Sequence, residues 1–200
     1  MKNIIYIMGK SSSGKDTIYN ILKNDLEVTT YVMYTTRPKR NDEIEGKTYY
    51  FITKEEMDEY IKGEKQAYLI EERTYNTVHG PWTYATIEDE QFKTNKDLLM
   101  LGTLESYAKV KEYISQKENI EIIPIYIEVP DGIRLRRALD REDKQENPKY
   151  TELCRRFLAD DKDFSEENIT KLNIEKRFLN LELSKCIEEI KTYINEQKIN

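Results

Sequence analysis

Histidine and cysteine are nearly missing from this 200-residue chain, which has one His and two Cys. Zinc sites built from these ligands, and acid-base machinery that needs paired histidines, are thereby nearly excluded. Cys154 and Cys186 lie far apart in charged surroundings, which suits two reduced thiols better than a disulfide framework. No stretch approaches the roughly 18 apolar residues of a membrane span, and the first apolar run, Ile4 to Met8, is too short for a signal-peptide core. A cytoplasmic protein without membrane contact is the expectation. Positive charge is also in deficit: 32 Lys and Arg against 38 Asp and Glu leave −6. That balance argues against a nucleic-acid partner, so any polyanionic ligand must be held by a local cluster.

What is present has an α/β rhythm. An apolar run (Ile4 to Met8), a Gly/Ser turn and a stretch from Lys15 to Lys23 with Ile18, Ile21 and Leu22 at helical spacing predict strand, loop, helix. Short strands are predicted at Tyr31 to Tyr34 and Thr48 to Ile52. From Thr53 to Asn95, strand-like pieces (Ala67 to Ile70, Thr74 to Val78) mix with helical ones (Lys54 to Lys62, Tyr84 to Lys93), as in an inserted lobe. Buried strands at Leu98 to Leu101 and Ile120 to Val129 follow, with helices at Leu104 to Ile114, Gly132 to Asp140, Thr151 to Asp161 and Leu183 to Ile194. Arg141 to Tyr150 is polar and reads as a mobile surface segment. The predicted fold is a parallel sheet flanked by helices on both faces.

Gly9-Lys10-Ser11-Ser12-Ser13-Gly14-Lys15 fits the G-x-x-x-x-G-K part of a P-loop, placed between the first strand and first helix. Glycines let consecutive N–H groups turn inward, the helix N-terminus adds its positive end, and Lys15 supplies a full charge for nucleotide phosphates. The residue after the lysine, normally a magnesium-ligating Ser or Thr, is Asp16, followed by Thr17. A carboxylate is also a hard oxygen ligand, so Asp16 is the candidate Mg²⁺ ligand; capping the helix is its alternative role.

Eight of the ten arginines fall in two windows: Arg37 and Arg40, then Arg134, Arg136, Arg137, Arg141, Arg155 and Arg156. Guanidinium groups grip phosphate with two prongs, so such clustering in an acidic chain points to a phosphate site, with solvated helix faces as the alternative for the later six. Arg37 and Arg40 flank Pro38 in the stretch Thr35-Thr36-Arg37-Pro38-Lys39-Arg40, which leads through Glu43, Glu45 and Gly46 to Tyr49-Tyr50-Phe51. This stretch resembles the guanylate kinase signature: T-T-R, a basic residue three positions on, acid, Gly, then Y-x-F. Together with the loop and the downstream arginines the resemblance covers most of the chain.

The resemblance implies a P-loop NTPase-type core (1–34 and 96–200), a GMP-binding lobe (about 35–95) and a lid (about 137–156). It implies magnesium-dependent transfer of the γ-phosphoryl group of ATP to GMP, giving ADP and GDP. Gly9 to Thr17 would hold the ATP phosphates, and Arg37, Arg40 and Tyr49 the GMP phosphate. Lys15, Arg137, Arg141 and Arg156 would act on the transferring group. The family's E-x-A…Y-G-[ST] segment is loosely echoed from Glu71 to Trp82. There Glu71 or Glu72 would accept from the guanine N1–H and exocyclic amine, while His79, next to Gly80, would take the place of a phosphate-binding Tyr. Met33 stands where the family has Ser, and Leu101-Gly102-Thr103 where it has an acidic strand end. Two other readings therefore stay open: a kinase of the same fold acting on another nucleotide or a sugar phosphate, and a non-catalytic guanylate-kinase-like binding module.

Overall fold

The computed structural model describes residues 1–41, 43–77 and 80–199. The apolar run becomes β1 (Lys2–Met8), followed by α1 (Lys15–Asp25), β2 (Val28–Thr30), β3 (Tyr34–Thr35), β4 (Tyr50–Phe51) and α2 (Lys54–Ile61). A hairpin of β5 (Leu69–Thr77) and β6 (Gly80–Ile87) precedes β7 (Asp97–Gly102), α3 (Leu104–Ile114) and β8 (Ile120–Glu128). Then come α4 (Asp131–Glu142), α5 (Tyr150–Asp163), α6 (Glu166–Lys171), β9 (Arg177–Leu179) and α7 (Leu183–Ile199).

Five strands form a parallel sheet in the order β2-β7-β1-β8-β9, with β1 at its centre. Alternate side chains of β1 serve opposite faces. Ile4, Tyr6 and Met8 join Leu98, Met100 and the α3 residues Leu104, Tyr107 and Val110. Ile5 and Ile7 join Ile125 and Ile127 under Ile18 and Leu22 of α1 and Ile187, Ile190 and Ile194 of α7. Each fully buried isoleucine contributes about 1.5–3 kcal/mol, so the uninterrupted run Ile4 to Met8 can only be a central strand. Its carboxyl end, where the Gly9–Lys15 loop begins, thereby emerges from the centre of the buried sheet.

The second sheet, β4-β3-β6-β5, builds the lobe, with β5 and β6 antiparallel and α2 packed on Ala85 and Ile87 through Met57. A capping box fixes the start of α2: Thr53 accepts from the Glu56 N–H, and the Glu56 carboxylate from that of Thr53. Tyr31 ties the lobe to the core by bonding both the N–H and C=O of Ile87.

The helix predicted at Tyr84 to Lys93 is not formed. Thr83, Tyr84, Thr86 and Ile87 continue β6, because β-branched and aromatic side chains pair with β5, and only Glu90–Lys93 makes a 3-10 turn. The strand expected at Tyr31 to Tyr34 is replaced by β2 and β3 on either side, and the one at Thr48 to Ile52 shortens to β4. Ala67 and Tyr68 belong to a 3-10 turn ahead of β5. Between α4 and α5 only residues 143–149 lie outside helix, and that stretch is tied back by the Lys149 N–H on Glu142 and the Tyr150 hydroxyl on Asp143. Cys154 is exposed, Cys186 is buried with its thiol pushed up to about 11 by burial, and neither is in a disulfide. Among the described residues no helix is long and apolar enough to cross a membrane.

Candidate active site

The loop between β1 and α1 is held open by two glycines. Gly14 has φ +86°, and a Cβ there would lie 2.4 Å from the side-chain nitrogen of Asn180. At Gly9 a Cβ would lie 2.6 Å from the Ile127 carbonyl. Asn180 is buried, and its amide donates to the Ser13 carbonyl at 2.8 Å, so the loop is braced from the end of β9. The hydroxyls of Ser12 and Ser13 are buried without a partner among the described residues. Buried hydroxyls are ordinarily bonded, so two orphans aimed into one loop fit an anion that would complete them.

A cavity of about 520 Å³ opens beside this loop. Its walls carry Ser11, Ser12, Lys15 and Asp16 from the loop and α1, Arg40 from the signature segment, and Arg141 and Arg156 from the α4–α5 pair. Four predicted cations from three separate segments thus converge. Glu152 accepts from Arg155 and Arg156, and these bonds hold its carboxyl at about 2, against the smaller opposing effect of burial. Asp16 is exposed at the first turn of α1 with its carboxylate 3.7 Å from the Lys15 ammonium, and Thr17 is exposed beside it.

Arg137 does not line this cavity. Its Nη2 donates to the Asn180 carbonyl at 3.1 Å, so it fixes the residue that braces the loop. Arg134 is 1% exposed and spans three segments, donating to Asp131, to Asp160 and to the Ser11 carbonyl. Asp160 in turn accepts from the Ser11 N–H at 2.8 Å, and Lys10 reaches Asp161 at 3.0 Å.

In the lobe, Arg37 is buried against the Tyr49 and Phe51 rings, with its carbon 5.4 and 5.6 Å from their centroids. Glu43 receives both its Nη1 and Nη2, at 3.0 and 2.6 Å, together with the Arg40 N–H. Burial raises the Tyr49 phenol, keeping it a proton donor. Tyr84 lies edge-on to Tyr49 at 5.7 Å, and Arg73 pairs with Tyr84 across the β5–β6 hairpin. Beyond Arg73 lies Glu71, whose side chain is fully enclosed and bonded to Arg73, Thr86 and Ser106. Glu72 points its backbone carbonyl at Lys109, and Met33 packs on the core cluster beside β1. Gly80 opens β6 at φ +99°, and His79 lies outside the described residues.

A sequence profile of the family described as "Guanylate kinase" matches residues 1–196. The chain belongs to the guanylate kinase family. Guanylate kinases of Clostridium tetani and Wigglesworthia glossinidia brevipalpis are each 27% identical to it, over 98% and 100% of this chain and 86% and 92% of the relative. The guanylate kinase of Mesomycoplasma hyopneumoniae strain 7448 is 26% identical over 98% of this chain and 96% of its own. The crystal structure of the Anaplasma phagocytophilum guanylate kinase superposes on all of this chain and 87% of its own with a TM-score of 0.63 at 18% identity, a likeness of fold. Three residues that bond to predicted site residues carry no role in the sequence reading: Asn180, Asp160 and Arg73. Of these, Arg73 alone lies within a segment the sequence singles out, Glu71 to Trp82.

Proposed function

We infer that the protein is a nucleoside monophosphate kinase that transfers the γ-phosphoryl group of ATP to GMP, giving ADP and GDP. The observation that carries this reading is the single cavity that holds the phosphate loop, Lys15, Arg40, Arg141 and Arg156 together. A nucleoside monophosphate is already an anionic nucleophile, so transfer to it needs positioning and charge neutralisation rather than a general base. A chain with one histidine and convergent arginines is suited to that task.

In this reading the loop N–H groups and the Ser12 and Ser13 hydroxyls hold the ATP phosphates. Arg37, Arg40 and Tyr49 hold the acceptor phosphate, and Lys15, Arg141 and Arg156 offset charge on the transferring group. Arg137 acts through Asn180 on the loop. The lobe of residues 35–95 brings the acceptor, and the segment 137–156 serves as a lid that excludes water.

The donor set fits magnesium. Among the described residues no cluster of three His, Cys, Asp or Glu exists that would hold a metal by itself. Asp16, Glu142 and Glu152 line the cavity, and of these Asp16 is the one adjoining the phosphate loop at the start of α1, which suits an Mg²⁺ that takes most of its ligands from water and phosphate oxygens. Asp16 would hold the ion there, and the ion would supply positive charge that offsets the phosphates.

The test is a coupled ADP-release assay with ATP and Mg²⁺ and a panel of GMP, dGMP, AMP, UMP, CMP and ribose phosphates. GMP should be turned over fastest. Turnover confined to another acceptor would replace the acceptor in this reading, and no turnover with any would favour a binding module.

A further inference from the structure

Glu71 and Arg73 form the most enclosed ion pair among the described residues, with side chains 0% and 6% exposed. Glu71 Oε1 accepts from Ser106 Oγ at 2.7 Å, Thr86 Oγ1 at 2.8 Å and Arg73 Nη2 at 3.3 Å, and Oε2 accepts from Arg73 Nε at 3.0 Å. A carboxylate offers about four lone-pair sites, so this one is largely filled from within the protein. Oε1 is saturated and Oε2 keeps at most one open site, too little to accept from both an N1–H and an exocyclic amine.

Arg73 is the group with capacity to spare. Of its five N–H bonds, one on Nε and one on Nη2 go to Glu71, and one on Nη1 goes to Thr103 at 2.6 Å. One N–H on each of Nη1 and Nη2 has no partner among the described residues. Thr103 stands at the strand end as a neutral hydroxyl and caps α3, so the enclosed carboxylate at this end is Glu71, already paired with Arg73, while Glu105 in the first turn of α3 adds a further negative charge within reach of Arg73. The Arg73 charge is kept despite burial by the adjacent Glu71. Arg73 also lies at the end of a continuous floor. Its cross-strand partner Tyr84 touches Tyr49, and Tyr49 carries Arg37 on its face, so phosphate-binding and base-facing cations are joined through two rings.

We propose that Arg73, rather than the Glu71 carboxylate, reads the acceptor base through two adjacent acceptor atoms, O6 and N7 of a 6-oxopurine. This rests on the kinase reading above and sharpens its substrate class: 6-oxopurine nucleoside monophosphates, with no use made of the 2-amino group of guanine. The O6/N7 edge is the pair of acceptors that arginine grips with two prongs, whereas adenine presents its N6 amine as a donor against the guanidinium. Glu71 then acts as a positioning residue that orients the fork, with Thr86 and Ser106 holding the carboxylate in place.

The experiment compares kcat/KM for GMP, IMP, 7-deaza-GMP and AMP in the full-length protein. IMP lacks only the 2-amino group and should be used within about 3-fold of GMP, because no buried acceptor is left unpaired. Losing N7 should cost about 10-fold or more, the effect of one hydrogen bond to a charged group. AMP should fall at least about 100-fold below GMP, with one acceptor lost and a donor set against a cation. Preference for GMP over IMP by about 100-fold or more, with 7-deaza-GMP at parity, would overturn the proposal while leaving the kinase reading intact. Turnover of none of the four would overturn both.

Arg73→Met supplies a readout that a merely structural role would not move. It frees the Glu71 carboxylate, so the GMP/IMP ratio should rise by about 10-fold, the worth of one recovered charged hydrogen bond; an unchanged ratio in a folded variant contradicts the assignment. Arg73→Lys keeps the charge and loses the fork. It should lower kcat/KM for GMP and IMP equally, by about 10-fold, and a loss confined to GMP would contradict the proposal.

Discussion

Replacing Arg134 by Met tests how the phosphate loop is held. The methionine keeps much of the stem volume and removes the guanidinium, which is 1% exposed and lies 4.3 Å from the Phe157 centroid. Four hydrogen bonds go with it: two to Asp131 Oδ1 at 3.0 and 2.8 Å, one to the Ser11 carbonyl at 3.1 Å and one to Asp160 at 3.3 Å. Breaking a buried ion pair by removing one partner costs about 3–5 kcal/mol. Asp131 is 51% exposed and regains water, while Asp160 is 18% exposed and keeps the Ser11 N–H, so the low end applies, about 3 kcal/mol. For a chain of this length about 2–4 °C follow each kcal/mol, so Tm should fall by about 6–12 °C. Thermal unfolding followed by circular dichroism measures this, and the ATP KM, measured below the new Tm, should rise as Ser11 loosens. A Tm within about 2 °C of the unsubstituted protein, with the ATP KM unchanged, would refute the reasoning that one buried guanidinium joins loop, α4 and α5.

Gly14→Ala places a Cβ against Asn180 at a positive φ, which should cost about 1–3 kcal/mol of backbone strain and weaken ATP binding more than acceptor binding, read from the two KM values. With the role proposed for its charge on the transferring group, Arg156→Gln should lower kcat by about 10-fold or more with a small change in acceptor KM; a pure KM effect contradicts that role. Asp16→Ala should raise the Mg²⁺ concentration needed for half-maximal rate, and an unchanged requirement removes Asp16 as a ligand. Hydrogen bonds from Arg37 hold the Glu43 carboxyl below its ordinary 4.5 despite opposing burial, so the pair's contribution to stability is fully present above that pH. It is lost as pH falls through the depressed folded value. Urea midpoints of the unsubstituted protein and Glu43→Gln should therefore converge on acidification below about pH 4.5, and a constant gap would contradict the pairing.

The parts of the site legible in the sequence are those written in consecutive residues. Gly9 to Lys15 needs only a preceding apolar strand and a following helix to be recognised, and β1 and α1 stand on either side of it. The segment from Thr35 to Phe51 is read the same way, since Pro38 keeps Arg37 and Arg40 out of regular helix. Contacts that join distant segments were not legible. Asp160 meets Ser11 across 149 residues and Asn180 meets Ser13 across 167, and no local pattern foretells either bond. Arg137 and Arg134 look alike as sequence, yet one holds a backbone carbonyl and the other an acidic cluster, because their places on α4 turn them toward different neighbours. Tyr84 to Lys93 misled because Tyr84 and Ile87 satisfy a helical spacing as well as a strand, and pairing with β5 decided between them. In β5 the two-residue period brings Glu71 and Arg73 to one face, so their pairing was available in principle from a strand beginning at Leu69.

The kinase reading stands or falls most directly on the fate of one phosphoryl group. With ATP labelled at the γ position, Mg²⁺ and GMP, the label should appear as the β-phosphate of GDP, in step with ADP. Label released as inorganic phosphate at the same rate with or without GMP, or left on ATP, would contradict it.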